Sequence, residues 1–405
     1  RTEETETEEA NRGGKPAVAL RFCRVKEDVL KLSLNRAEFL SAVKHGESIA
    51  PRDSALDILK GLLLEADSAS GKLTITATNL EITLEQKIPC SVSEDGAIVL
   101  NARLAASMLE KLAGDVVTLE RIPGKLLLYL RGSDAEYLIP IWERNSYPKL
   151  EIPFPEDTVL VGGIPGMARR TVFAAAQDNN KPLMKCVNLK FTKDGLRAAV
   201  GNGNCIVAAR GDDKSTGNIS LLLPAHSLEK LARMCCEEDE FHVGTTGKAI
   251  VFFQKDFAYS ARLLEGDYID ADRIIGSIQN QFTVLTGVQE LRKALDSASC
   301  VDTDGKVCLR FEGQRLTFCC RSERGNTAVA LDVVPLTGMP RGEYWYIAKQ
   351  LMLCLKSLAG TVKLGVAQGS MLTLETENAY YMQTGVRPEA AVQKKEKKKP
   401  ARKAA

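Results

Sequence analysis

The sequence is short of the groups on which most enzymes rely. Its 405 residues include two tryptophans and three histidines, His45, His226 and His242, spaced for no zinc site. No CxxC, GxSxG or HExxH motif occurs. GTTGKA at 244–249 looks like a piece of a phosphate-binding loop. However, His242 stands where GxxxxGK[ST] needs its first glycine, and Ala249 where it needs a hydroxyl. The stretch lies between two alternating segments and reads as a hairpin turn. GNGN at 201–204 joins two strands rather than a strand and a helix, so it is no dinucleotide loop. The chain therefore reads as a protein without catalytic residues, metal ligands or cofactor.

No apolar run approaches the roughly 20 residues that a transmembrane helix needs. The opening RTEETETEEANRGG lacks the apolar stretch of a secretion signal. The chain begins at Arg1 rather than Met, as a processed or partial chain does. Its eleven cysteines are odd in number and sit mostly in apolar alternating segments, where a free thiol packs as a small hydrophobe. That usage suits a reducing, cytoplasmic setting.

Charge is informative by region, not as a total. The net charge is +2, yet from Glu389 onward seven cations (Lys394, Lys395, Lys397, Lys398, Lys399, Arg402, Lys403) face two glutamates, giving +5. Residues 1–28 hold six basic and seven acidic side chains, giving −1, which leaves −2 for the middle (2 − 5 + 1). Affinity for nucleic acid must then come from where cations sit. Composition marks the acidic segment 1–28 and the basic tail 389–405 as disordered.

What the sequence does contain is a repeat. GKLTITATNLEITLEQKIP (71–89), GLRAAVGNGNCIVAARG (195–211) and GQRLTFCCRSERGNTAVALDVVP (313–335) each read as strand, polar turn, strand. Their period of about 120 residues is domain-sized rather than solenoid-sized. Upstream of each lies a short strand and a helical stretch: 35–46, 164–177 and 288–299. Downstream a second strand and helix follow at 97–114, 219–234 and 344–360, then alternating strands. Leu104, Met108 and Leu112 mark an apolar helical stripe, as do Leu351, Leu355 and Leu358. Gly114 and Gly360 stand where such helices would end on a left-handed residue. The expectation is an α+β fold of three domains, 29–149, 150–278 and 279–388, each built from two strand–helix–three-strand halves.

Three further stretches make the match specific: YLIPIWERNSYPKL, ARLLEGDYIDADRII and AYYMQTGVRP. With the triplicated order, LTITATNLEITLEQKIP resembles the bacterial DNA polymerase III beta subunits, the replicative sliding clamps. The likeness covers about residues 29–388. It departs from the family at Gly201-Asn202-Gly203-Asn204-Cys205-Ile206, where Thr-Asp-Gly-His-Arg-Leu is usual, at Thr384-Gly385 for Met-Pro, and at Ile269 for Pro.

The resemblance implies a DNA-clamp fold, with helices inside and sheets outside a ring. Two chains join head to tail around duplex DNA and are loaded by an ATP-driven clamp loader. Phosphates would meet cations on the six inner helices: Arg36 and Lys44, Arg103 and Lys111, Arg169 and Arg170, Lys230 and Arg233, Arg292 and Lys293, Lys349 and Lys356. Arg52 and Lys181 would add to them from loops. DNA polymerase, the loader and other clamp-binding proteins would insert a short apolar motif into a pocket formed by Met184, Gly203, Ile206, Ile269, Ile274, Met382 and Val386, with Arg387 at its rim. The alternative is a clamp-derived scaffold that binds proteins but no longer encircles DNA.

Overall fold

The computed structural model describes residues 29–148, 151–177, 181–192, 195–211, 219–303 and 305–387. The two termini read above as disordered, and the boundary at 149/150, lie outside the described residues. Six times the chain repeats one order of strand, helix, then three strands. The six helices of this repeat are α1 (Arg36–Ile49), α2 (Ala102–Lys111), α3 (Ile164–Thr171), α4 (Ala225–Ala232), α6 (Val288–Ser299) and α7 (Ala348–Ser357). A seventh, α5 (Ala271–Ser277), stands outside the pattern. In the first unit each helix starts on an asparagine that ends the preceding strand. Asn35 Oδ1 accepts from the Ala37 and Glu38 amides at 2.9 and 3.1 Å, and Asn101 Oδ1 accepts from Leu104 at 3.0 Å.

The strand that opens each half does not stay with it. Lys31–Asn35 pairs with Val116–Arg121 of the second half, and Gly96–Asn101 pairs with Gly61–Asp67 of the first. The same exchange recurs in the second unit, Val159–Val161 with Phe241–Thr246 and Ile219–Pro224 with Cys186–Thr192. It recurs again in the third, Asn280–Gly287 with Thr361–Ala367 and Arg341–Ile347 with Lys306–Glu312.

Neighbouring units join through sheet edges by one rule. The last strand of a unit's first half meets the last strand of the next unit's second half. Ile82–Gln86 thus pairs with Phe257–Ala261, and Cys205–Ala209 with Ala379–Gln383. Among the described residues, two last strands have no partner of this kind. Glu136–Trp142 meets the adjoining sheet only through Ile141 and Trp142, and Gly325–Asp332 is the outer edge of a four-stranded sheet.

The three repeated segments are hairpins, as read. GTTGKA is also a hairpin turn, with Gly247 at φ +57° between the strands Phe241–Thr246 and Ala249–Gln254. Its first glycine, Gly244, is a point of close approach: a Cβ there would stand 2.5 Å from the Asp157 carbonyl oxygen. On α7 the expected Leu351 and Leu355 are buried, with Leu358 at the cap, but the stripe on α2 is shifted from the one expected. On α2 the buried residues are Ala102, Ala105, Ala106 and Leu109, whereas Leu104 and Met108 are half-buried and Leu112 follows the helix end. Gly114 and Gly360 are left-handed, at φ +86° and +72°, but each lies two residues past an extended cap residue, Leu112 or Leu358.

Candidate nucleic-acid interface and peptide corner

The helices pack in pairs, α1 with α2, α3 with α4 and α6 with α7. Two clefts bridge these pairs, so that helices from different units adjoin. The first, about 570 Å³, is lined by residues of α1, α2 and α4 and carries Lys44, Arg52, Lys60, Arg103, Lys230 and Arg233 against one carboxylate, Glu47. The second, about 820 Å³, runs from α3 and α4 to Leu353 of α7 and carries Arg169, Lys185 and Arg233 against Glu229. Cations drawn from separate units thus converge in concave, solvent-filled surfaces, where a polyanion gains most from them.

Five of the expected cations (Lys44, Arg52, Arg103, Lys230, Arg233) line the first cleft, and Arg169 joins Arg233 at the second. Lys44 bonds Glu110 at 2.7 Å, and that bond holds the Glu110 carboxyl below its ordinary range. Arg169 pairs with Glu237, and Arg233 with Glu229. Arg52, Arg103 and Lys230 meet no carboxylate within ion-pair distance among the described residues. Burial lowers the Lys230 ammonium pKa, with the Glu81 charge pulling the other way.

Arg36 is differently placed. Its guanidinium donates to the carbonyls of Gly114 and Leu109 at 2.7 and 3.2 Å, closing the end of α2. Arg170 donates to the Arg210 carbonyl at 3.0 Å. Lys111, Lys181, Lys293, Lys349 and Lys356 are exposed and Arg292 is half-buried, none of them lining either cleft. Lys60 is a member of the first cleft that sequence reasoning missed, because it ends a short 3-10 turn, Asp57–Lys60, outside the six repeated helices.

The residues expected to form the peptide pocket gather at another corner. Ile206, Ala271 and Met382 form a small buried cluster, flanked by Ile269, Ile274, Ile275, Ile278 and Tyr380. Strand alternation explains it: Val207 and Ala209 face the main core, and Ile206 faces α5 on the opposite side. Ile206 and Met382 are only 8% and 6% exposed, so of the expected residues Ile269, Ile274 and Val386 offer reachable apolar surface, beside the half-buried Ile275, Ile278 and Tyr380. Gly203 tops the adjoining turn at φ +90°, and Thr384 bonds the Asn204 carbonyl at 2.9 Å, which brings the C-terminal stretch alongside. Val386 donates to the Trp345 carbonyl at 2.8 Å, and Arg387 is exposed. Met184 lies apart, in the turn Pro182–Lys185.

Two features at this corner were missed. Helix α5 is announced by Asp270, whose Oδ1 accepts from the Arg273 amide at 3.1 Å. Gly201 lets Ile269 lie against the strand: a Cβ there would stand 2.4 Å from Ile269 Cδ1 and displace that side chain.

Residues 30–151 match the sequence profile of the DNA polymerase III beta subunit N-terminal domain, and residues 165–270 that of its central domain. The chain belongs to the DNA polymerase III beta subunit family. Curated beta sliding clamps are similar at low identity. The protein of Synechococcus elongatus is 23% identical over 256 residues, 61% of this chain and 68% of that protein. The protein of Lactococcus lactis is 22% identical over 318 residues, 73% and 81% respectively. The crystal structure of the Bacillus subtilis DNA polymerase sliding clamp superimposes with a TM-score of 0.80 at 19% identity, covering 89% of this chain and 100% of that one. The beta subunit structure from Thermotoga maritima gives 0.79 at 18%, with the same coverage. The six-fold strand–helix–three-strand order is thus the beta-subunit fold carried by a strongly diverged sequence.

Proposed function

We propose that two copies of this chain close head to tail into a ring around duplex DNA, and that this ring tethers DNA polymerase and other replication and repair proteins in the cytoplasm. The observation that carries the reading is the edge rule. Two seams within the chain join a first-half last strand to a second-half last strand, and one strand of each kind is left over, at opposite ends. A second copy supplies the missing partner for each. Two such joints close the circle over six domains, 29–149, 150–278 and 279–388 from each chain, rather than growing a filament.

The helical side then faces the hole, and its clefts present cations to phosphates without reading bases, so the ring slides. Sliding needs no reactive group and no cofactor. A clamp loader would open the ring, and partner proteins would place an apolar anchor on Ile269 and Ile274, beside Gly203 and Arg387.

Topology gives the test. The protein is expected to stay on nicked circular DNA and to be lost once that DNA is linearised. Equal retention on both would leave only a protein-binding scaffold. Neutralising Arg103 together with Lys111 should lower the slope of log K against log salt by up to about 1.8 for each chain if both touch phosphates. An unchanged slope would remove the pair from the DNA-facing wall.

A further inference from the structure

The cleft between α1, α2 and α4 has one further complement in the chain itself. Glu3, Glu4, Glu6, Glu8 and Glu9 place five carboxylates within seven residues, accompanied only by Arg1 in the first ten positions. Extended at about 3.3 Å per residue, they span roughly 20 Å, one charge per 4 to 5 Å, close to the linear density of phosphates on one DNA strand. Six cations line the cleft with Glu47; Lys44, Lys60 and Arg233 are paired with Glu110, Asp57 and Glu229, and Arg52, Arg103 and Lys230 are left to meet an incoming polyanion. Lys230 is half-buried there without an ion pair, so a carboxylate brought to it relieves a charge already partly withdrawn from water.

The segment can reach. The described chain starts at Val29, enters the strand Lys31–Asn35 and passes directly into α1, on which Lys44 lies. Seven extended residues and eight helical steps put Lys44 at most about 36 Å from Val29. The 19 residues from 10 to 28 span up to about 60 Å.

We infer that the cationic cleft is also the seat of the acidic segment Glu3–Glu9, which occupies it in the absence of DNA and is displaced when duplex DNA enters. This rests on the proposal that the cleft faces DNA. As a tethered competitor, the segment acts at an effective concentration of millimolar order without any partner protein. Its rival seat is the basic tail, Lys394–Lys403. The cleft is favoured because its cations are fixed by helices and arrive already ordered, whereas pairs between solvated side chains contribute little.

The test is zero-length carbodiimide coupling of the full-length protein without DNA, followed by peptide mass mapping. Coupling of Glu3–Glu9 to Lys44, Lys60 and Lys230 is expected. In the double variant Arg52→Ser, Arg103→Ser, which removes attraction but no coupling partner, the yield should fall about threefold or more. Coupling confined to Lys394–Lys403, or spread evenly over exposed lysines, would overturn the inference. Replacing the five glutamates by glutamine should tighten binding to duplex DNA about threefold to tenfold at about 50 mM salt. The two proposals fail separately. Cleft coupling that saturating duplex DNA does not diminish would keep the docked segment and move DNA elsewhere. A salt slope set by Arg103 and Lys111 with no cleft coupling would keep the DNA wall and remove the segment.

Discussion

Leu138→Asp is expected to convert the proposed dimer to a monomer at micromolar concentration and to abolish retention on circular DNA. Leu138 lies in the middle of Glu136–Trp142, the unpartnered second-half edge, and is 49% exposed. In both internal seams the corresponding strand is covered along five residue pairs. The proposed joint would cover Glu136–Pro140 in the same way, against Gly325–Asp332, whose exposed Ala328 and Ala330 are small enough to leave room for a leucine. A carboxylate in that place loses water without gaining a partner, at a cost of about 2 kcal/mol per joint. A closed two-chain ring has two identical joints, so the substitution acts twice. About 4 kcal/mol raises the dimer dissociation constant roughly a thousandfold. Sedimentation of the variant beside the parent protein measures this. An unchanged mass would show that this edge does not form the joint.

The second large effect concerns alkaline pH and two tyrosines that repeat each other across units. Tyr147 OH accepts from the Thr78 amide at 3.1 Å and reaches the Gly61 carbonyl at 3.4 Å. Tyr268 OH accepts from the Gly201 amide at 3.2 Å and donates to the Cys186 carbonyl at 2.8 Å. Each ties the segment that closes a unit to the hairpin where that unit joins the next. Burial pushes both phenols up to about 12, against the lowering effect of the backbone amide. A raised pKa means that the folded state holds the proton more tightly. The stability from each tyrosine is therefore complete below pH 10, the ordinary phenol value, and is lost as pH rises towards 12.

Two pKa units correspond to roughly 2.7 kcal/mol per tyrosine. Urea midpoints taken between pH 9 and 11 should fall steeply, and the double variant Tyr147→Phe, Tyr268→Phe should fall less steeply by up to about two protons. Tyr259, Tyr346 and Tyr381 are also raised by burial, so some slope persists. At neutral pH the double variant is destabilised by about 1 to 2 kcal/mol per site for backbone groups left unmet. A variant that kept the parent's alkaline slope would show that these phenols do not titrate with unfolding.

Much of this fold was legible because its signals are local. The hairpins at 71–89, 195–211 and 313–335 alternate and turn on polar residues, and Asn35 and Asn101 mark helix starts in plain view. The face of α2 was less legible, because large apolar residues drew the stripe through Leu104 and Met108 while the buried face falls on Ala102, Ala105, Ala106 and Leu109. Helix α3 ends at Thr171, short of the expected 177, and continues as a tighter turn over Val172–Ala174. The exchange of opening strands and the edge pairing of residues 82–86 with 257–261 could not be read, since nothing local distinguishes a strand that stays from one that crosses. For the same reason the basic cleft was legible only as six separate helices. Its shape comes from units meeting at residues far apart in the chain, and Lys60 belongs to it by position alone.

The crossing of opening strands makes each unit hard to divide. Cleavage at Asp95, between the two halves of the first unit, would leave two fragments, each still holding a strand laddered into the other's sheet. Such fragments should stay associated after nicking and could reassemble when expressed separately. A half moved alone into another protein would carry an opening strand without its ladder partner.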